Sequence, residues 1–372
     1  MTRDINQRLQ QLRNRRDGSR GLVTAGVTLD SIFKSIPTVE SWESRGAGNQ
    51  PNTRYALGSM QAVSDTYTRV SKETAERIAN QLKDRLTNNG VHAEFRLQGS
   101  VPLDVHIKGV SDVDLLTLSN ELHTYDPMGI VALRGGYKNP AKRTSLEVLN
   151  ELRNLIESSL DEGFPAAKVD KSGAKAVKIS GGSLARDVDV VPAHWADTIL
   201  YQATGTASDR GTRILDKKKQ VTIENQPFLH IELIRNRCDK VGGGLRKAIR
   251  LCKNVKADSD RNITLPSFDI ASVMYHADVS ALRLGCYYEL SILAETQRHL
   301  DQLACDHDLA KTLYVPDGSR LIFDSNEKLE SLNKLSYEMD ELLNAVYSEH
   351  TPNYLSNSLL RDKRLAISSL AV

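Results

Sequence analysis

The chain has 372 residues, 49 of them Lys or Arg and 47 Asp or Glu, with 40% apolar residues and a formal net charge of +2. That composition suits a soluble globular protein of two domains or one bilobed unit, and so small a net charge argues against an obligate, sequence-independent nucleic-acid binder. Cys238, Cys252, Cys286 and Cys305 form no Cys-x-x-Cys pair, so neither a zinc knuckle nor a redox dithiol is indicated. With no secretory leader in the first residues and no apolar run of membrane-spanning length, a reduced cytoplasmic protein is expected.

Residues 3–17 read as a short polar helix with a thin apolar stripe at Leu9 and Leu12, ended by residues 18–21. A second weak segment, VTAGVTLDSIFK at 23–34, is expected to pack on the body, and residues 38–54, rich in Ser, Arg, Gly, Asn and Pro, read as a loop. Residues 58–88 form the longest early helix pattern, with apolar positions from Met60 to Leu86 recurring mostly at three to four and Asn89-Gly90 as the stop. The longer step from Val70 to Ala75 marks an interruption near residue 72. A first strand at 91–97 then leads to Gln98, Gly99 and Ser100.

After a loop of eleven residues, Asp112 and Asp114 sit one residue apart in a run that turns apolar, 111–120. Successive strand side chains point to opposite faces, so both aspartates are expected on one face with Val113 in the core. Two parallel carboxylates repel each other strongly, and the usual remedy is a divalent cation such as Mg²⁺, which prefers hard oxygen ligands. The plainer reading is a solvated surface strand that alternates acids with valines. Lys108 can reach a phosphate or remain a surface lysine, and His106 has no metal-ligand spacing to another His or Cys.

Residues 125–144 form a Gly-, Pro- and Lys-rich loop whose Arg134, Lys138, Lys142 and Arg143 either meet substrate phosphates or keep an insertion soluble. A helix follows at 145–161. Residues 176–179 and 185–191 pair as a hairpin around Gly181-Gly182-Ser183, in which Asp187 and Asp189 alternate with valines. A third carboxylate from this run, if on a strand neighbouring Asp112 and Asp114, would complete a two-metal clamp. Short strands are expected at 213–215 and 220–223.

Over residues 245–257, Arg246, Arg250, Lys253 and Lys256 recur along one helix face, beside an apolar face of Leu245, Ile249, Cys252 and Val255. The basic stripe either holds triphosphate oxygens or is an ordinary solvated face. One or two helices are expected over 267–299, with Tyr275, Leu282, Tyr287, Leu290, Ile292 and Leu293 as core, and a clear helix over 327–347. The expected division is an N-terminal extension at 1–54, a catalytic lobe at 55–240, a helical second lobe at 241–350 and a loosely held tail at 351–372.

Gly99-Ser100, Asp112-Val113-Asp114, and Asp189 followed by Val190-Val191-Pro192-Ala193 together resemble the polymerase-β-type nucleotidyltransferase superfamily. Within it they are similar to the branch of the oligoadenylate synthetases, the animal cytosolic DNA sensor that makes a cyclic dinucleotide, and the bacterial CD-NTases of anti-phage signalling. Residues 242–257 resemble the basic helix such enzymes place across the donor nucleotide, and residues 263–275 the following helix with Ser267 at its entry. The resemblance covers roughly residues 55–340; Pro102, close behind Gly-Ser, departs from the pattern and stiffens the loop.

What the resemblance implies is an α+β, bilobed fold with a mixed sheet in the catalytic lobe, a mainly helical second lobe and a long helix before the first strand as a spine. It implies that Gln98, Gly99 and Ser100, at a helix start, bind the triphosphate, and that Arg246, Arg250, Lys253 and Ser267 contact nucleotide. Asp112, Asp114 and Asp189 would bind two Mg²⁺ ions, with Mn²⁺ as a substitute, and Asp189 would help activate the acceptor hydroxyl. The implied substrates are nucleoside triphosphates, and the implied product is a cyclic di- or trinucleotide made with release of pyrophosphate. A linear 2′-5′ oligonucleotide synthetase, an RNA-end transferase and a non-catalytic scaffold stand as alternatives. A regulatory partner protein would act on residues 1–54.

Overall fold

The computed structural model describes residues 4–17, 40–46, 48–351 and 358–372. The segment expected at 23–34 lies outside the described residues, as do residues 18–21 and parts of the loop expected at 38–54. The chain divides into two compact units, one of residues 64–103 and 111–233 and the other of residues 1–63, 104–110 and 234–372. The boundaries fall at 63/64, 103/104, 110/111 and 233/234, where the sequence reading drew the catalytic lobe as one stretch, 55–240.

The unit of residues 64–103 and 111–233 is built on a seven-stranded mixed sheet. Its strands are β1 (Ala93–Gln98), β2 (Val113–Tyr125), β3 (Lys168–Asp170), β4 (Val177–Ser180), β5 (Val188–Asp197), β6 (Gly211–Asp216) and β7 (Val221–Asn225). They run in the order β1-β2-β5-β4-β3, with β6 joined to β5 and β7 to β6. β2 and β5 are parallel and every other pair is antiparallel. One face presents Val113, Leu115, Val177, Ile179, Val188 and Val190 to Ile78, Leu82, Leu149, Leu152 and Ile156 of two helices. Alternation along the strands then leaves Asp114 and Asp189 on the opposite face.

Those helices are Asp65–Asn88 and Ser145–Gly163. The second opens with a capping box in which Thr144 and Glu147 satisfy each other's backbone donors. The pattern over 58–88, read as one helix or as two interrupted near 72, belongs to two helices, Pro51–Met60 and Asp65–Asn88, broken at 61–64 instead. Ser64 explains the break: it is extended, and its hydroxyl caps the second helix by accepting from Tyr67 N–H. The apolar gap from Val70 to Ala75 is filled by Ser71 and Thr74, buried and bonded back to the carbonyls of Tyr67 and Val70, so the helix runs through it.

The other unit is helical among its described residues. Gly244–Asp258, Leu290–Cys305 and Asn326–His350 form much of it, with Leu251, Cys252, Leu293, Leu335, Met339 and Leu343 fully buried or nearly so. Residues 267–305 hold three helices rather than one or two, and Tyr287, expected in the core, is 81% exposed. The tail expected to be loosely held contains the helix Leu360–Ser368, which packs on Leu290–Cys305 and Asn326–His350. Ile367 is fully buried there, and Arg364 pairs with Asp301 at 2.5 Å. A nine-residue helix with so thin an apolar stripe gives little periodicity to read.

The helix Ile5–Asp17 is tied to this unit by buried charge. Arg15 grips the fully buried Asp258 with two hydrogen bonds of 2.5 and 2.6 Å, and the Tyr55 hydroxyl donates to the same carboxylate at 2.8 Å. Burial, then the Asp258 charge, pushes the Tyr55 phenol well above its ordinary range, so it stays a donor. Arg15→Met should cost about 3–5 kcal/mol, because it removes the charge paired with a buried carboxylate, and adding Asp258→Asn should recover part of the loss; urea unfolding of the three proteins checks this. Deleting residues 1–54 would remove the same partner, so that truncation perturbs stability as well as any control segment.

His299, on Leu290–Cys305, is buried, with Nε2 2.9 Å from the carbonyl of Val273. Burial is the main cause that lowers its pKa from 6.5 to about 4. Between those values the unfolded chain binds a proton that the folded one does not. Stability is therefore full above pH 6.5 and falls by up to about 3 kcal/mol as the pH drops toward 4. Denaturant unfolding at pH 7 and pH 5 should show the wild type losing more stability than His299→Gln.

Candidate active site

The site is set by strand register. Across the sheet, Gln98 on β1 faces Asp114 on β2, Asp114 faces Asp189 on β5, and Asp189 faces Lys178 on β4. These four side chains form one transverse row on the face opposite the helices, with neighbouring strands about 4.8 Å apart. Asp112 lies one residue before β2, and Asp187 one residue before β5; Val113 N–H donates to the Asp187 carbonyl at 3.1 Å and fixes their alignment. The three aspartates expected to act together are brought together within one unit.

Gly99 is required here. Its φ of +74° is the left-handed region that favours glycine, and a Cβ at this position would lie 2.2 Å from Asp114 Oδ2. The turn after β1 thus rests against the Asp114 carboxylate. The resemblance implied a helix start at Gly99-Ser100; residues 99–104 instead form turns, and no helix follows before Asp112. Ser100 is half-buried in that turn.

Lys178 Nζ donates to Asp112 Oδ2 at 2.6 Å and lies 3.5 Å from Asp187 Oδ2. Burial pulls the Lys178 pKa down, but the hydrogen bond to Asp112 and the charges of Asp112, Asp187 and Asp189 outweigh it and hold the ammonium above its ordinary value. For Asp189, burial and then the Asp112 charge raise the carboxyl above its usual range against the opposing pull of Lys178. Asp112 and Asp114 on one strand thus stand beside Asp187 and Asp189 on the next. Their hard oxygens suit a divalent cation, with Asp114 and Asp189 adjacent in register and Asp112 at the end of its strand. Among the described residues no three His, Cys, Asp or Glu side chains already converge at ligand distance, and Asp112 is turned to Lys178.

Other expected contacts are placed differently. Arg250 and Lys253 are buried in their own unit, where Arg250 donates to the carbonyls of Met60 and Asp104 and to the Asp104 carboxylate at 2.6–3.1 Å, and Lys253 donates to the Val105 carbonyl at 2.8 Å. In this structure these cations clamp residues 104–105 of the excursion between Ser100 and Asp112. Lys256 donates to the Leu265 carbonyl and Lys108 to the Arg16 carbonyl. Arg246 is half-buried, and Ser267 is an exposed first residue of the helix Ser267–Tyr275. Arg143 pairs with Glu121 and Glu151, which accounts for one cation of the 125–144 segment by ion pairing.

Tyr201 lines a cavity of about 330 Å³ with Glu94, Arg96, Trp195, Arg210 and Phe228. Trp195 lies six residues beyond Asp189 on β5, roughly 20 Å along the strand. Sequence reasoning missed Lys178, whose only signal was its alternation with Val177 and Ile179. It also missed Arg186, whose guanidinium stacks 3.8 Å over the Tyr67 ring beside the carboxylate hairpin.

A mixed sheet that sets two register-paired aspartates against a glycine turn, with a third carboxylate one residue before the strand, is the arrangement of a nucleotidyltransferase. No family model matches the chain. The chain is 47% identical over 313 residues to the cyclic dinucleotide synthase CdnE of Yersinia aleksiciae, covering 83% of this chain and 79% of that protein. It is 33% identical over 306 residues to a c-di-GMP synthase of Capnocytophaga granulosa, covering 77% and 85%. The solved structure of the STING-associated CdnE c-di-GMP synthase from Capnocytophaga granulosa matches with a TM-score of 0.69 at 27% identity, over 91% of this chain and 97% of that one. The chain belongs to the CD-NTase family of nucleotidyltransferases. Among the described residues no helix is long and apolar enough to cross a membrane.

Proposed function

We propose that this nucleotidyltransferase joins two ribonucleoside triphosphates into a cyclic dinucleotide with release of pyrophosphate, as a second messenger in anti-phage signalling. The observation that carries the reading is the register pairing of Asp114 with Asp189 beside the Gly99 turn. The names of the similar proteins, a cyclic dinucleotide synthase and c-di-GMP synthases, support a cyclic product and make GTP the first donor to try.

Asp112, Asp114 and Asp189 would hold Mg²⁺, or Mn²⁺ in its place. When bound, the metal supplies Lewis acidity at the triphosphate and charge neutralisation for the attacking and leaving oxygens. The chain's own residues do the rest. The Gly99-Ser100 turn positions the phosphates, with Gly99 leaving room for the Asp114 carboxylate. Asp189 orients the acceptor ribose hydroxyl and takes up its proton at a carboxylate oxygen. The hydroxyl oxygen bonds to the α-phosphorus, the bond from that phosphorus to the bridging oxygen breaks, and pyrophosphate leaves with the electron pair. A second such step within the linear intermediate closes the ring. Catalysis of this kind is mostly positioning and charge stabilisation.

The test is pyrophosphate release from the four ribonucleoside triphosphates with Mg²⁺. Release that depends on the protein is expected; no release with any triphosphate, with Mg²⁺ or Mn²⁺, would overturn the reading.

A further inference from the structure

Lys178 stands beside the carboxylate cluster on the neighbouring strand. Register places it beside Asp189 on one side and Asp170 on the other, continuing the row from Gln98 through Asp114 and Asp189. Its ammonium is at hydrogen-bond distance from Asp112 and at 3.5 Å from Asp187. All three side chains are partly exposed, at 36–46%, so none is locked in place by packing.

A lysine ammonium offers only donors, and a carboxylate oxygen that accepts from it has its lone pair engaged. The carboxylate keeps other lone pairs, but the ammonium's like charge opposes a divalent cation on it, and with Asp112 held by Lys178 no three candidate ligands among the described residues converge at ligand distance. At Asp112 the two are therefore rivals. The rivalry has a built-in resolution, because Asp187 stands close enough to keep the ammonium when Asp112 is given up. This accounts for the acid two residues before Asp189, which the proposed reaction leaves without a task.

We propose that Lys178 is a positioning residue that acts as an internal counter-ion, occupying Asp112 in the nucleotide-free enzyme and passing to Asp187 when metal and triphosphate enter together. The inference rests on the reading of Asp112, Asp114 and Asp189 as metal ligands. It follows that the protein without nucleotide binds divalent metal weakly, and that metal loading is coupled to nucleotide arrival. A cell's free Mg²⁺ would then not by itself assemble the site.

The experiment is Mn²⁺ binding to the nucleotide-free protein, read by electron paramagnetic resonance of free Mn²⁺. The proteins are wild type, Lys178→Met, Lys178→Gln, Asp112→Asn and the Lys178→Met/Asp112→Asn double variant. Thermal unfolding confirms that each is folded. Removing a unit charge a few ångströms from the ligands should tighten Mn²⁺ binding by about tenfold or more in both Lys178 variants. In the Asp112→Asn background the same change should give much less, because the carboxylate being contested is gone. Equal affinity of wild type and the Lys178 variants would overturn the proposal. So would an undiminished gain in the Asp112→Asn background, which would show a general field effect rather than occupation of Asp112. A separate arm adds a non-hydrolysable GTP analogue. If wild type then binds Mn²⁺ no better than Asp114→Asn, the metal-ligand reading fails, and the counter-ion role falls with it.

Discussion

Replacing Asp189 by asparagine is expected to reduce nucleotidyl transfer by about a thousandfold or more, since it removes a charge aimed at the reacting centre. The same change should leave the fold intact. Asparagine is nearly isosteric, and burial together with the Asp112 charge raises the Asp189 carboxyl above its usual range. A carboxyl with a raised folded pKa lowers stability at neutral pH, because the unfolded chain ionises it more easily. The variant should therefore unfold at the same temperature as wild type or higher, while losing its turnover. Activity and thermal unfolding measured on one preparation check both halves. A variant that loses activity because it has unfolded would point to a structural aspartate instead.

Gly99→Ala is the second large effect. The new Cβ would fall 2.2 Å from Asp114 Oδ2, at a backbone φ of +74°. Left-handed backbone costs a non-glycine residue roughly 1–2 kcal/mol, which the protein can absorb. The displaced carboxylate is the greater loss: a misplacement of about 1 Å in catalytic machinery can lower rate by about a hundredfold. The expected result is a fall in kcat of about that size with a small drop in Tm. Ser100→Ala, which adds no atom against Asp114, should cost less turnover than Gly99→Ala. The reverse order would place the importance of this turn in its hydroxyl rather than in its clearance.

Much of this site was readable before any coordinates. Two alternations of aspartate with valine put Asp112 with Asp114, and Asp187 with Asp189, each pair on one strand face, because strand periodicity is local; that the two strands are neighbours came from the resemblance. Register is not local. Nothing in Ala176-Val177-Lys178-Ile179 says that Lys178 pairs with Asp189 rather than with its neighbours, so the counter-ion stayed invisible. The basic helix shows a different limit. Its periodicity correctly separates an apolar face from Arg250 and Lys253, but periodicity does not reveal that both cations are buried against the carbonyls of residues 104–105. The break at 61–64 was missed because Ser64 acts through a cap, and a serine in a helical pattern looks the same whether it caps or merely sits. Ser71 and Thr74 misled in the opposite sense, as polar residues that occupy the core face and satisfy themselves on the preceding turn.

The most direct measurement is the identity of the product. The protein is incubated with the ribonucleoside triphosphates and Mg²⁺, treated with phosphatase and examined by mass spectrometry, with an Asp112→Ala/Asp114→Ala protein alongside. The account predicts a phosphatase-resistant dinucleotide lacking terminal phosphates, formed by wild type and absent from the variant. A product that keeps a free 5′ end, sensitive to phosphatase, or the same product from the doubly substituted protein, would contradict it.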